Sequence, residues 1–245
     1  MINNNRGFTL SEVLITLGII GIVAAMTIPG LIAKHKKIVT ATQLKKAYST
    51  LAQAFTMAQK DYGDVSQWDF RPQNPVDGDT TTLKYALNSF AKTYLIPYLS
   101  VVTDCEAGNN ASRSCFYTWY TTDGTPINYI PRDNIYRFIL NNTILISLTY
   151  DNSGGDYSAG SILITVDING FQKPNTYSKD IFVMNIKNNK KYYFGMFGSG
   201  LTRDRLMNYQ GWGCKNKSSA SNGSIYCGAL IQQDGWVIKD DYPWF

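Results

Sequence analysis

The sequence predicts an α+β protein: a long N-terminal helix, apolar enough in its first half to span a membrane, packed on an antiparallel β-sheet head. Three observations carry this. Val13 to Ala33 is a run of 21 residues without a charge, as long as the ~20 apolar residues that a bilayer core requires of a helix. Immediately beyond it, apolar residues recur at helical spacing. From about residue 116 the period changes to short runs of aromatic and β-branched residues separated by turn chemistry, the pattern of an antiparallel sheet.

The N-terminal stretch Phe8 to Ala33 reads FTLSEVLITLGIIGIVAAMTIPGLIA, and Glu12 is its only charge. It follows a short polar head, Met1 to Gly7, with one arginine, and precedes Lys34-His35-Lys36-Lys37. A cleaved secretory signal needs a shorter apolar core, about 7–15 residues, with a small-residue cleavage site after it. An ordinary signal anchor fits the length but leaves Glu12 unexplained. A carboxylate near the membrane core costs roughly 2.5–3.5 kcal/mol on insertion scales, so such residues have partners and roles.

The run Gly7-Phe8-Thr9-Leu10-Ser11-Glu12 resembles the processing site of type IV pilins and of the pseudopilins of type II secretion. The resemblance implies a pilin-like fold. It implies cleavage by a prepilin peptidase after Gly7, on the cytoplasmic side, and N-methylation of Phe8. It also implies pairing of Glu12 with the terminal amine of a neighbouring subunit during assembly. Pro29 falls where many members of that family carry a helix-kinking proline. Gly18 and Gly21 are small residues of the kind that let helices approach closely. The partners implied are other pilin-like subunits, the peptidase and the inner-membrane assembly machinery. The precursor would be single-pass in the bacterial inner membrane with its head outside the cytoplasm, later part of a periplasmic or cell-surface filament. The tally of basic residues points the other way, with Arg6 before the apolar run and Lys34, Lys36 and Lys37 after it. Basic residues favour the cytoplasmic side, and we follow the processing motif over this tally.

Leu44, Tyr48, Leu51, Phe55 and Ala58 recur at intervals of four, three, four and three, one face of an amphipathic helix. A single rod from Phe8 to about Asp61, stopped near Gly63, is the economical reading. The chain thus divides into a leader (1–7), a membrane and polymerisation helix (8–33), its amphipathic continuation (34–62) and a globular head (63–245).

Within the head, residues 64–79 are polar and turn-rich, with Pro72, Pro75 and Gly78. A second helix is predicted from Leu83, Leu87, Phe90 and Tyr94, ending near Pro97. Strands are predicted at Phe116–Tyr120, Ile135–Leu140, Thr143–Tyr150, Ser161–Ile168, Ile181–Ile186 and Lys191–Phe197. Turns are placed at Asp123-Gly124, Asn141-Asn142, Gly154-Gly155, Asn169-Gly170 and Asn188-Asn189.

Four cysteines, Cys105, Cys115, Cys214 and Cys227, include no C-x-x-C pair, which argues against zinc. In an exported head they read as disulfides. Of three connectivities, Cys105–Cys115 with Cys214–Cys227 encloses the shortest loops. Asp167, Asn169, Asn175 and Asp180 bring oxygen atoms around a glycine turn, a candidate Ca²⁺ site. The spacing is not that of an EF-hand, since the twelfth position from Asp167 is Ser178, and a hairpin turn centred on Asn169-Gly170 is the favoured reading. No other cofactor is expected. Trp236 and Trp244 read as core or as cover for a sheet edge.

A single histidine, His35, removes most His-based catalytic arrangements. There is no G-x-S-x-G, no phosphate loop and no evident acid pair, so an enzyme is not expected. A net charge of +5 over 245 residues is too mild to argue for nucleic acid. A structural filament subunit is the leading expectation. The alternative is a membrane-anchored binding module, an adhesin or a DNA-uptake minor pilin, using the head loops.

Overall fold

The computed structural model describes residues 9–68, 80–108, 112–128, 131–151, 161–189, 191–215 and 223–245. Gly7, Phe8, the 69–79 segment, the Gly154-Gly155 turn and the 216–222 loop lie outside the described residues.

The first element, α1, runs unbroken from Leu10 to Tyr62. Its second half buries Thr40, Ala41, Leu44, Ala47, Leu51, Ala54, Phe55 and Ala58, a seam at three- and four-residue spacing. Half of these positions are alanine, which lets the helix axis lie close to its support. Tyr48 and Phe55 stack on Phe194 at 5.3 and 4.9 Å, and Tyr48 also meets Trp236 at 5.3 Å, so Trp236 serves the core. Gly63 ends the helix with φ 78°, a left-handed backbone that costs glycine nothing.

Helix α2 (Thr81–Tyr94) buries Leu83, Leu87, Phe90, Ala91 and Tyr94. It stops before Pro97 and tightens into a 3-10 turn at Ile96–Tyr98. Trp68 stacks on Tyr94 at 4.2 Å and donates its indole N–H to the Gly63 carbonyl at 3.0 Å. That contact ties the end of α1 to α2.

Among the described residues eight strands follow: β1 (Val101–Ala107), β2 (Thr118–Tyr120), β3 (Pro126–Asn128), β4 (Tyr136–Leu140), β5 (Leu145–Tyr150), β6 (Ile162–Asp167), β7 (Ile181–Asn189) and β8 (Lys191–Met196). Six of them form an antiparallel sheet in the order β1-β4-β5-β6-β7-β8, and β2-β3 is a separate hairpin. All six predicted strands are present, trimmed by up to two residues where turn or bend residues adjoin them and extended in β7. Asn188-Asn189 is a correction. It lies within β7, whose Asn189 pairs with Lys191. Asn169-Gly170 is another. The connection from Asp167 to Ile181 is too long for a two-residue hairpin turn.

Strands β1 and β3 escape a period-based reading for physical reasons. β1 carries Thr103, Asp104 and Glu106 at an edge, and two register shifts interrupt its pairing with β4. β3 is three residues long and begins with Pro126, which an edge strand tolerates because no ladder N–H is needed there.

The sheet register separates two faces. On one face Tyr136, Leu148, Ile164, Met184 and Met196 lie opposite one another in turn, beside Phe138, Ile146, Val166 and Phe182. This apolar face receives the helices. The other face carries Arg137, Ser147, Thr165 and Val183 in register. It is buried as well, because the 113–128 segment folds over it.

Two short helices complete the head, α3 (Arg203–Asn208) and α4 (Cys227–Gln233). Each holds fewer residues than a periodicity window, so neither is foreseen from sequence. α4 sits close against the sheet: a Cβ on Gly228 would lie 2.1 Å from the Met196 methyl. The tail is anchored by Arg203, whose guanidinium bridges Asp234 and Asp241, each at 2.9 Å. Tyr242 donates to the Ser178 carbonyl at 2.6 Å.

Disulfides join Cys105 to Cys115 and Cys214 to Cys227. The first holds β1 to the segment leading into β2. Replacing Cys105 and Cys115 together by serine should cost about 3 kcal/mol in the chain-entropy account. That lowers the unfolding midpoint by roughly 6–12 °C, measured by circular dichroism on the detergent-solubilised chain. An unchanged midpoint would show that neighbouring packing already restrains the loop.

Candidate functional site: the free half of the long helix and the turn beside it

From Leu10 to Val39 no residue of α1 is buried, so the head leaves about 45 Å of helix uncovered. Apolar residues occupy its whole circumference: Leu10, Met26 and Leu31 are 79%, 77% and 68% exposed. A helix apolar all round belongs in a membrane or a larger packed core, and this one is long and apolar enough to cross a membrane. Two of its threonines are satisfied locally. Thr16 and Thr27 donate to the carbonyls of Val13 and Val23 at 3.0 and 2.9 Å, so the hydroxyls leave no open donor in an apolar medium. Gly18 and Gly21 face open space, with nothing within 4 Å of an added Cβ. Nothing among the described residues requires either glycine. Pro29 lies within the continuous helix, where its ring removes one i→i−4 hydrogen bond.

The first turn holds a feature that spacing alone makes legible. Thr9 is the N-cap, accepting from the Glu12 N–H at 3.3 Å. Glu12 reaches back to accept from both the Thr9 N–H and the Thr9 hydroxyl, each at 2.8 Å. This T-x-x-E arrangement is a capping box, which satisfies two of the free N–H groups at the helix start. Glu12 therefore has a partner within its own chain.

At the other end of the exposed half, Lys37 bonds Asp240 at 2.9 Å. The pair is exposed on the aspartate side and contributes little. Trp244 packs partly into the core and donates to the Cys214 carbonyl at 2.9 Å.

The four candidate calcium ligands converge beside this region, but as a closed hydrogen-bonded turn. Asp180 accepts from the N–H groups of Asn175 and Thr176 at 2.8 and 2.6 Å, one on each oxygen. Asp167 accepts from the Tyr117 hydroxyl at 2.8 Å and the Asn169 N–H at 3.3 Å. The Asn175 amide nitrogen, assigned by its partners, donates to the carbonyls of Gln172 and Gly170 at 2.7 and 2.9 Å. Only Asn169 Oδ1 lacks a partner. Calcium takes about six to eight oxygens, and a set already committed to N–H and O–H donors does not fit it. Burial, with the nearby Asp180 charge, pushes the Asp167 carboxyl up to about 8. Burial raises Asp180 to about 6 against its backbone donors. Two buried, mutually repelling carboxylates are a feature the sequence hides, because thirteen positions separate them and Tyr117, the hydrogen-bond partner of Asp167, comes from another layer.

Comparison with known families divides the chain where α1 changes character. Residues 2–28 match the prokaryotic N-terminal methylation motif, the segment type carried by type IV pilins and pseudopilins. Residues 30–244 match a family of unknown function, DUF6613. The chain belongs to this family. The boundary between the two matches falls at Pro29, one turn of helix before the basic cluster. No curated protein and no solved structure matches the chain.

Proposed function

We propose that this chain is a structural subunit of a pilin-like filament, in type II secretion or in a type IV pilus. Prepilin peptidase cuts after Gly7 and methylates Phe8. The precursor waits in the bacterial inner membrane with its head outside the cytoplasm. The inner-membrane assembly machinery then transfers the helix from lipid to a bundle of neighbouring pilin-like helices. The observation that carries this reading is the exposed half of α1: about 30 residues that nothing among the described residues buries, apolar all round from Val13 to Ala33. Such a surface is stable only in lipid or among other helices. The bare backbone at Gly18 and Gly21 supports close helix approach in that bundle.

The capping box adds a step. For Glu12 to meet the amine of a neighbouring subunit it must leave Thr9, at a cost of about 1 kcal/mol, the typical worth of an N-cap. The intermolecular ion pair must exceed that. Two variants separate the roles. Thr9→Ala should retain filament incorporation, since it weakens only the competing cap. Glu12→Ala should be cleaved and inserted but drop out of filaments, scored by shearing and immunoblotting. Equal loss in both would mean that Glu12 acts only as a cap. Intact mass of the mature chain, from cells with and without the peptidase, tests the processing: loss of Met1 to Gly7 and one methyl group on Phe8 are expected. Cleavage near Ala33 would make the segment a secretory signal and end the proposal.

A further inference from the structure

Where the exposed half of α1 meets the head, a groove of about 960 Å³ runs between the helix and the loop before β7. Pro29 and Ile32 line its apolar end, and Lys36, Lys173, Lys179 and Trp244 line the rest. None of these three lysines has a carboxylate within ion-pair distance among the described residues. Asp180 is the acid on the wall, and both its oxygens are taken by backbone N–H groups. On the opposite flank of the helix two of three lysines are paired, Lys34 being the exception among the described residues. There a groove of about 760 Å³ holds Lys37 against Asp240, and Lys239 bonds Asp234 at 2.7 Å. The two flanks lie at one height on the helix, and one carries three lysines outside any ion pair where the other carries one.

That height has a meaning if α1 spans a membrane, the reading on which this inference rests. A hydrocarbon core of about 30 Å takes some 20 residues of helix. Counted from Leu10, it ends near Gly30, so Pro29 and Ile32 lie at the edge of the acyl chains. The headgroup layer adds several ångströms, about four residues, which reaches Lys34, and the long Lys36 side chain, leaning back toward the helix N-terminus, brings its ammonium to that layer. The groove is therefore apolar on its lipid side and cationic at the depth of the phosphates.

We propose that this groove holds the headgroup of an anionic phospholipid from the leaflet on the head side. The phosphate sits among Lys36, Lys173 and Lys179, and an acyl chain lies along Pro29 and Ile32. Two arguments select a lipid as occupant. The groove is continuous with the segment that crosses the bilayer, and its unmatched charge is complementary to an anionic headgroup. The same site gives a role in lipid recognition to Lys36, one of the basic residues that stand on the head side of the helix against the usual orientation rule.

The test uses the full-length chain reconstituted in nanodiscs of equimolar phosphatidylglycerol and phosphatidylcholine, with retained lipids counted by native mass spectrometry. Wild type should retain phosphatidylglycerol over phosphatidylcholine by at least about fivefold. The triple variant Lys36→Gln, Lys173→Gln, Lys179→Gln should fall to near parity. A control, Lys45→Gln with Lys46→Gln on the exposed face of α1 farther along the head, should keep the preference. Parity in wild type, or an unchanged preference in the triple variant, overturns the proposal. So does displacement of phosphatidylglycerol by millimolar inorganic phosphate, which would make this a free-phosphate site. Loss of filament incorporation in the triple variant with lipid preference intact would make the groove a subunit interface instead. Release of the chain from vesicles by alkaline carbonate would remove the membrane-span reading itself. In an inserted chain, parity would remove only the lipid site.

Discussion

Replacing Arg137 by alanine should destabilise the head by about 3–5 kcal/mol, the loss expected when a large buried side chain leaves a cavity and removes the donor of buried acceptors. Arg137 is fully buried in the middle of β4. Its guanidinium lies between Phe116 and Trp119, 4.8 and 4.3 Å from the ring centres. It donates to the Cys115 carbonyl at 3.0 Å and to Ser147 Oγ at 3.2 Å. These contacts hold the 113–128 segment on the polar face of the sheet, so the substitution should loosen that layer as a unit. Arg137→Lys should recover only part of the loss, because an ammonium cannot stack between two rings or present the same fork of donors. Arg137→Met should be milder than alanine, since an apolar chain of similar length fills the slot without a buried charge. Chemical denaturation of the three variants measures the order. A cost under about 1 kcal/mol for alanine would show that the layer is held by something else.

The second large effect is on pH. Asp167 is raised to about 8 and Asp180 to about 6, from an ordinary value of 3.8. A carboxyl raised on folding binds its proton more tightly in the folded chain. Its contribution is fully present below the unfolded value and is lost as pH rises through the folded value. Stability should therefore decline from about pH 4 towards pH 8, by an amount on the order of a few kcal/mol. The opposite sign applies at the tail. Hydrogen bonds from Arg203 hold Asp241 below its usual range. Asp234 is also lowered, where burial is outweighed by Arg203 and Lys239. That stabilisation fades as pH falls below the ordinary aspartate value. Thermal midpoints should thus peak in mildly acidic buffer. Asp167→Asn keeps an acceptor for Tyr117 while removing the ionisation, so it should flatten the decline and exceed wild type at pH 8. A wild-type midpoint that rises between pH 5 and pH 8 would contradict the burial account.

Particular residues show how far the chain was readable in one dimension. The rod is legible because α1 obeys a single period: Leu44, Leu51, Phe55 and Ala58 fall on the face that the structure buries. The predicted strands are found because their runs are bounded by turn residues. The capping box was missed, although Thr9 and Glu12 stand three apart, the spacing a helix start uses. Elements without a period were missed: the bulged edge strand β1, the three-residue β3, and the short helices α3 and α4, which exist because tertiary contacts and the Cys214–Cys227 disulfide hold them.

Composition and spacing alone thus divide the chain into an apolar helical segment (8–33) behind a processing motif, its amphipathic continuation, and a head of alternating strands. These are local properties, set by spacing and composition along the chain. Only the tertiary structure decided that the polar side of the sheet is interior. Arg137, Ser147 and Thr165 alternate with apolar residues as a solvated face would, yet the 113–128 segment covers them, and no local signal in β4, β5 or β6 announces that. Only folding brings Asp167 and Asp180 together in a buried site, or sets Lys173 and Lys179 across a groove from Lys36. Those juxtapositions depend on contacts between residues many positions apart, which hydrophobic period and turn chemistry do not encode.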